Sequence, residues 1–178
     1  MKDRTSTGKS LEFNVIFEEY RDRIYAYLCK LAADRHQADD IFQEAFLKVH
    51  QSLPGYRDEG QLKAWIYKIA LNAFRDHYRK SKSGIQFQAG EFPEPQHEES
   101  PDKIVAVRET GDFFERQISA LPVKLREVYL LRMESGLSFK EIASVLDEPM
   151  PRVLKRMQLA VQNLRDAYQL REAKNAEM

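Results

Sequence analysis

Apolar residues recur at intervals of three and four along most of this chain, the spacing that lines one face of an α-helix. Over residues 11 to 33 they are Phe13, Ile16, Phe17, Tyr20, Ile24, Tyr27, Leu28 and Leu31. Asp34 can cap a second helix, with Gln37 three residues on to complete a capping box. That helix runs to about Ser52 and turns Ala38, Ile41, Ala45, Phe46 and Val49 inward. Pro54-Gly55 and Gly60 then mark residues 53 to 60 as a loop. The spacing resumes over residues 61 to 83 and again over 102 to 121, where Ile104, Val107, Phe114, Ile118 and Leu121 repeat. Pro122 suits the first turn of the next helix, with Leu125, Val128, Tyr129 and Met133 inward and Gly136 as its stop. Ser138-Phe-Lys-Glu141 is a capping box for a short helix that buries Ile142, Ala143 and Leu146. Asp147-Glu-Pro149 ends it. A last helix from about Pro151 carries Val153, Met157, Ala160, Val161 and Leu164 on one face, and the final pair has the outline of a helix-turn-helix.

The helix over 61 to 83 is the richest in chemistry. At ~100° per residue its side chains sort into three stripes. Leu62, Trp65, Ile66, Ile69 and Ala73 form a core face. Lys68, Asn72, Arg75, Arg79 and Lys82 form a basic one, and Tyr67, Leu71, Phe74 and Tyr78 a third that is mostly aromatic. Cations bind phosphates and rings stack on unpaired bases, so exposed aromatics beside a basic stripe suit a single-stranded polyanion. A solvated face beside a second packing surface explains the same pattern equally well.

Composition changes this picture in three ways. Lys plus Arg and Asp plus Glu both count 28, so attraction to an acidic partner must come from local charge. Between Ser83 and Pro101 the chain is rich in proline and glycine, and Glu91, Glu94, Glu98, Glu99 and Asp102 follow one another without a base among them. This reads as an extended acidic linker. A spacer is the plainer role for it; an acidic strand could also occupy a groove made for nucleic acid. The single Cys29 excludes an internal disulfide and fits a reducing compartment, and its apolar neighbours suggest burial. No stretch approaches the ~18 apolar residues of a membrane span, and nothing apolar follows the first lysines as in a signal peptide. Gly8-Lys9-Ser10 ends like a phosphate loop, but Asp3 stands where its first glycine belongs. His36, His50, His77 and His97 show no ligand spacing with each other or with Cys29, and no nucleophile-base pattern stands out, so neither a metal, a cofactor nor a catalytic residue is expected.

On the other side of the second helix, Asp39, Asp40, Gln43 and Glu44 make an acidic patch. The helix dipole favours the first two by ~0.3–1 kcal/mol each, but accounts poorly for the two that lie further in. Taken with the tracts Ala38-Asp-Asp-Ile-Phe-Gln-Glu-Ala-Phe-Leu-Lys-Val49, Lys63-Ala-Trp-Ile-Tyr-Lys-Ile-Ala-Leu-Asn-Ala-Phe-Arg-Asp-His-Tyr-Arg-Lys80, Leu121 to Arg132, and Gly136-Leu-Ser-Phe-Lys-Glu-Ile-Ala-Ser-Val-Leu146 with the final helix, the chain resembles the sigma-70 superfamily, and its extracytoplasmic-function (ECF) group in particular. Order and spacing of the four pieces carry the resemblance, which spans roughly residues 11 to 83 and 113 to 168.

The resemblance implies an all-α protein of two small helical domains joined by an acidic flexible linker: a region 2 bundle at 11–83, the linker at 84–112 and a region 4 helix-turn-helix at 113–171. It implies a sigma factor that binds core RNA polymerase, through the β′ clamp and the β flap, and recognises promoter −35 and −10 elements while helping to open the −10 duplex. Asp39, Asp40, Gln43 and Glu44 fall at core-binding positions, and Lys68, Asn72, Arg75, Tyr78 and Arg79 near −10 DNA. Arg152, Lys155 and Arg156 fall at the front of the −35 reading helix. Members of the family often have an anti-sigma partner, whose site the sequence does not reveal. One stretch departs from the family pattern Pro-x-Gly-Thr-Val-Lys-Ser-Arg: it reads Pro149-Met-Pro-Arg-Val-Leu-Lys-Arg156, so the family's −35 sequence preference does not transfer. The alternative, an autonomous helix-turn-helix regulator, needs neither the acidic patch nor a second DNA surface. The chemistry of transcription would belong to the polymerase, leaving this chain cytoplasmic and without an enzyme's role.

Overall fold

The computed structural model describes residues 12–32, 34–82 and 106–176. Among them the chain forms seven α-helices and no strand: α1 (Phe13–Leu31), α2 (Arg35–Ser52), α3 (Leu62–Lys82), α4 (Ala106–Ala120), α5 (Val123–Met133), α6 (Phe139–Leu146) and α7 (Met150–Ala176). The acidic tract over 84 to 105 and Gly8-Lys9-Ser10 lie outside the described residues. Helix α4 begins at Ala106, inside the span read as linker.

Local chemistry sets the boundaries. The Asp34 side chain accepts the Gln37 backbone N–H at 2.9 Å to open α2. Ser138 and Glu141 form the full reciprocal capping box at α6: the Ser138 N–H donates to Glu141 Oε2 at 2.7 Å, and the Glu141 N–H to Ser138 Oγ at 3.3 Å. Gly136 sits at φ 67° in the connection before it, where a side chain would be strained. Pro122 lies one residue earlier than expected, at the cap of α5. Asp147, the C-cap of α6, is the described non-glycine residue at positive φ, 54°.

Helices α1 to α3 bury the faces their spacing dictates, including Ile16, Ile24, Leu28, Ile41, Phe46 and Ile66. Two expectations of exposure change. Met133 is 59% exposed because α5 ends there and the chain turns away, and Val161, on the outer side of α7, is also open. Cys29 is half-buried against the core.

The two halves do not sit apart. Leu130, Leu131, Leu137 and Ile142 join Ile24, Leu31 and Tyr67 in one continuous apolar cluster, with α1 packed on α5 and α3 on α6. Tyr27 and Tyr67 meet edge to face at its centre, ring centroids 5.2 Å apart, and neither hydroxyl has a hydrogen-bond partner. Burial pushes the Tyr67 phenol up to about 12.

Two expected outcomes follow from these local facts. Ser138→Ala should cost about 1 kcal/mol in urea titration. Hydrogen bonds from the Ser138 hydroxyl and N–H hold the Glu141 carboxyl below its ordinary 4.5, so this stability is present above pH 4.5 and is lost as pH falls through the lower folded value; the alanine variant should show less of that acid-side loss. Tyr67→Phe should be neutral or stabilising at pH 7, since it removes an unpaired buried hydroxyl. It should also reduce the loss of stability that the wild type shows as pH rises from 10 through about 12.

Candidate nucleic-acid interface

Helix α3 presents the expected basic stripe, with two of its cations tied to the C-terminal half. Arg75 Nε and one of its terminal nitrogens donate to the two carboxylate oxygens of Glu127 at 3.0 and 2.7 Å, a bidentate pair across 52 residues of sequence. The Glu127 side chain is 3% exposed and that of Arg75 37%. This bond, above all, raises the Arg75 pKa. About two turns back along the stripe, Lys68 reaches Asp147 at 2.7 Å and the Ser144 carbonyl at 3.3 Å. Both carboxylates belong to the C-terminal half. Arg79, with a side chain 78% exposed, pairs within its own helix with Asp76, and Asn72 is exposed.

The aromatic stripe is resolved in favour of packing. Tyr67, Leu71 and Phe74 are buried, and Tyr78 is half-buried with its ring stacked on Phe74 at 5.8 Å. The third stripe is therefore a second core face, the surface that receives the C-terminal half. Trp65, expected in the core, stands at its edge, its ring centroid 4.4 Å from that of Tyr56. These two rings line a shallow cavity of about 180 Å³ with Arg57, Glu59, Lys68 and Ser144. Tyr56 escaped the periodicity argument because it lies in the loop; an aromatic residue between Pro54-Gly55 and Gly60 was its signal.

On α2 the acidic patch divides. Asp40 and Gln43 are exposed. Asp39 accepts the Tyr25 hydroxyl at 2.7 Å, and this bond first of all raises the Tyr25 pKa. Glu44 pairs with Lys48 at 2.8 Å, and Lys48 also meets Asp76 at 3.2 Å. At the front of α7 the Pro149 carbonyl accepts the backbone N–H groups of Arg152 at 2.9 Å and Val153 at 3.3 Å, so Pro151 costs the first turn no bond. Arg152 and Lys155 point outward, exposed. Arg156 does not: its side chain is 14% exposed and pairs with Glu148 at 2.9 Å, tying α7 to the turn that precedes it.

Comparison with known proteins decides what this arrangement is. A family model for sigma-70 region 2 matches residues 16–84, and one for sigma-70 region 4 matches residues 114–164. The RNA polymerase sigma-H factor of Pseudomonas aeruginosa is 30% identical over 182 residues, covering 96% of this chain and 94% of its own. The chain belongs to the sigma-70 family. The ECF sigma-E factor of Escherichia coli is 27% identical over 164 residues, covering 87% of this chain and 85% of the relative. Among solved structures, the sigma factor RpoE of Bartonella quintana, crystallised with the anti-sigma factor NepR, has the same fold, with a TM-score of 0.74 and 20% identity over 88% of this chain and 96% of that one. This sigma factor is thus of the ECF kind, and its family consists of regulators rather than enzymes. No helix among the described residues is long and apolar enough to cross a membrane, and no described cluster of three or more His, Cys, Asp or Glu side chains could hold a metal ion.

The two arginines of α3 should separate cleanly in stability measurements. Arg75→Ala strands a buried carboxylate and should cost about 2–3 kcal/mol in urea unfolding. Arg79→Ala removes an exposed pair and should cost less than about 0.5 kcal/mol.

Proposed function

We propose that this sigma factor recruits core RNA polymerase to promoters by dividing the work between its two halves, with residues 11–83 and 113–171 acting as separate domains once bound. Asp39, Asp40, Gln43 and Glu44 on α2 dock against basic groups of the β′ clamp. Two of them, Asp40 and Gln43, already stand free in solvent. Glu44 exchanges its bond to Lys48 for one to the partner. Lys68, Asn72, Arg75, Tyr78 and Arg79 of α3 hold the −10 region as its strands part. Arg152 and Lys155 at the front of α7 enter the major groove upstream, where arginine can read guanine and lysine can hold phosphate. Arg156 acts by fixing the pitch of α7 through Glu148. The β flap takes the rest of the C-terminal half. The protein works in the cytoplasm, where its polymerase is, and leaves phosphodiester chemistry to that enzyme.

The observation that carries this reading is the order of parts on one chain: an α2 with outward carboxylates, an α3 with a cationic stripe, and a capped helix-turn-helix whose second helix starts with free cations. A repressor that binds duplex DNA by itself needs only the last of these.

Changing Gln43 to Ala and Glu44 to Lys together should lower affinity for core polymerase by at least about 100-fold, as expected where buried charge pairs are reversed at an interface, while the urea midpoint stays near the wild-type value. Unchanged core affinity removes α2 from the interface. Arg152→Ala should cost about 1–3 kcal/mol on one promoter sequence if it reads a base, or the same on every sequence with a shallower salt slope if it holds phosphate.

A further inference from the structure

From Met150 to Arg165, α7 carries no acid, although the chain as a whole balances its charges. Val153, Ala160 and Leu164 are its buried face. At ~100° per residue the opposite face consists of Leu154, Lys155, Gln158 and Leu159, and all four are exposed. Leu154 is open to 37% and Leu159 to 42%. Leu154 and Gln158 stand a turn apart on one row, Lys155 and Leu159 a turn apart on the next, with Arg152 at the edge. The face ends where Gln162 turns its amide to Asp166 at 2.7 Å.

A single leucine in water needs no explanation. These two alternate with a cation and an amide, and that restricts what can cover them. A partner that meets Lys155 and Arg152, and no acid, is itself anionic, so the leucines must find apolar groups within that anion. The major groove of duplex DNA admits one helix and offers one such group, the C5-methyl of thymine. On the same base pair stand adenine N6 and N7, which a glutamine amide takes bidentately.

Resting on the reading of α7 as the upstream duplex contact, we propose that Leu154 and Leu159 select the −35 sequence by seating on thymine methyls, while Gln158 pairs with the adenine of an A·T pair beside them. Lys155 and Arg152 supply the charge that holds the helix in the groove. The two leucines are ~7.5 Å apart along the helix axis, so the thymines they read lie about two base-pair steps apart.

The test uses the full chain in complex with core polymerase, and a duplex library randomised over the promoter length. Wild type should enrich thymine at two upstream positions at that spacing. Leu154→Ala should lose one of these preferences, Leu159→Ala the other, and Gln158→Ala the adenine. The urea midpoint should not fall in any of them, because alanine suits an exposed helix position. On the selected duplex, deoxyuridine in place of thymine removes the methyl alone. One replacement should weaken wild-type binding about fourfold and both about 15-fold, the worth of one and two buried carbons. With the matching leucine variant the same replacement should change nothing.

Equal wild-type binding to thymine and deoxyuridine duplexes overturns the proposal, as does an unchanged pattern of enrichment in both leucine variants. Leucine variants that lose affinity for core polymerase, or for every promoter alike, overturn it too: the face then docks protein or backbone rather than bases. Run-off transcription separates this inference from the one beneath it. Initiation at selected promoters that ignores the methyls removes the leucines and leaves the promoter reading standing. A complex that enriches no sequence and starts no transcript sinks both.

Discussion

Glu127 imposes a constraint that much of this molecule is arranged to meet. A carboxylate removed from water is stable only with matched charge and hydrogen bonds around it. Here that charge comes from Arg75, in the other half of the protein, through a bidentate bond. The pair ties α5, which packs on α1, to α3, and Leu130 and Leu131 join the core that α1 and α3 began. The orientation of the helix-turn-helix follows, because α6 lies along α3 with Asp147 against Lys68. Buried pairs of this kind often add little net stability, since desolvation offsets attraction. Their effect is on which arrangement is adopted, and apolar burial, at roughly 25 cal/mol per Å², supplies the strength.

Much of this was legible in the sequence, and for definite reasons. Ser138 and Glu141 announced the start of α6 because a capping box is a local device whose members lie three residues apart. The inward faces of α1 and α2 followed from period alone. Residues such as Ile24 and Ile41 have no other side on which to hide. The limits are equally physical. Periodicity reports that Tyr67, Leu71 and Phe74 share a stripe but not what covers it, and here the cover is a body distant in sequence. Glu127 gave no sign of burial, being one acid on a short charged helix, and its partner stands 52 positions away. Arg156 looked like a DNA contact by its place on α7. Its pairing with Glu148 depends on the path of the turn, which spacing does not encode.

The turn itself repays a closer look. Helix α6 ends at Asp147 in the left-handed region usually given to glycine, a conformation that costs roughly 1 kcal/mol for other residues. The side chain placed there reaches Lys68, and the next residue, Glu148, reaches Arg156. A glycine would relax the backbone and forfeit the first contact. Two adjacent acids therefore link α7, its turn and α3 in one short segment.

The formal net charge of this protein is zero. With 28 cations balanced by 28 acids, the molecule offers little net far field to a chromosome, and diffusional capture by bulk DNA depends on such a field. It should not spend its time sliding over non-specific sequence, as basic repressors do. Its search is then conducted by whatever enzyme it has joined, so the concentration that sets promoter occupancy is that of the complex rather than of the factor alone.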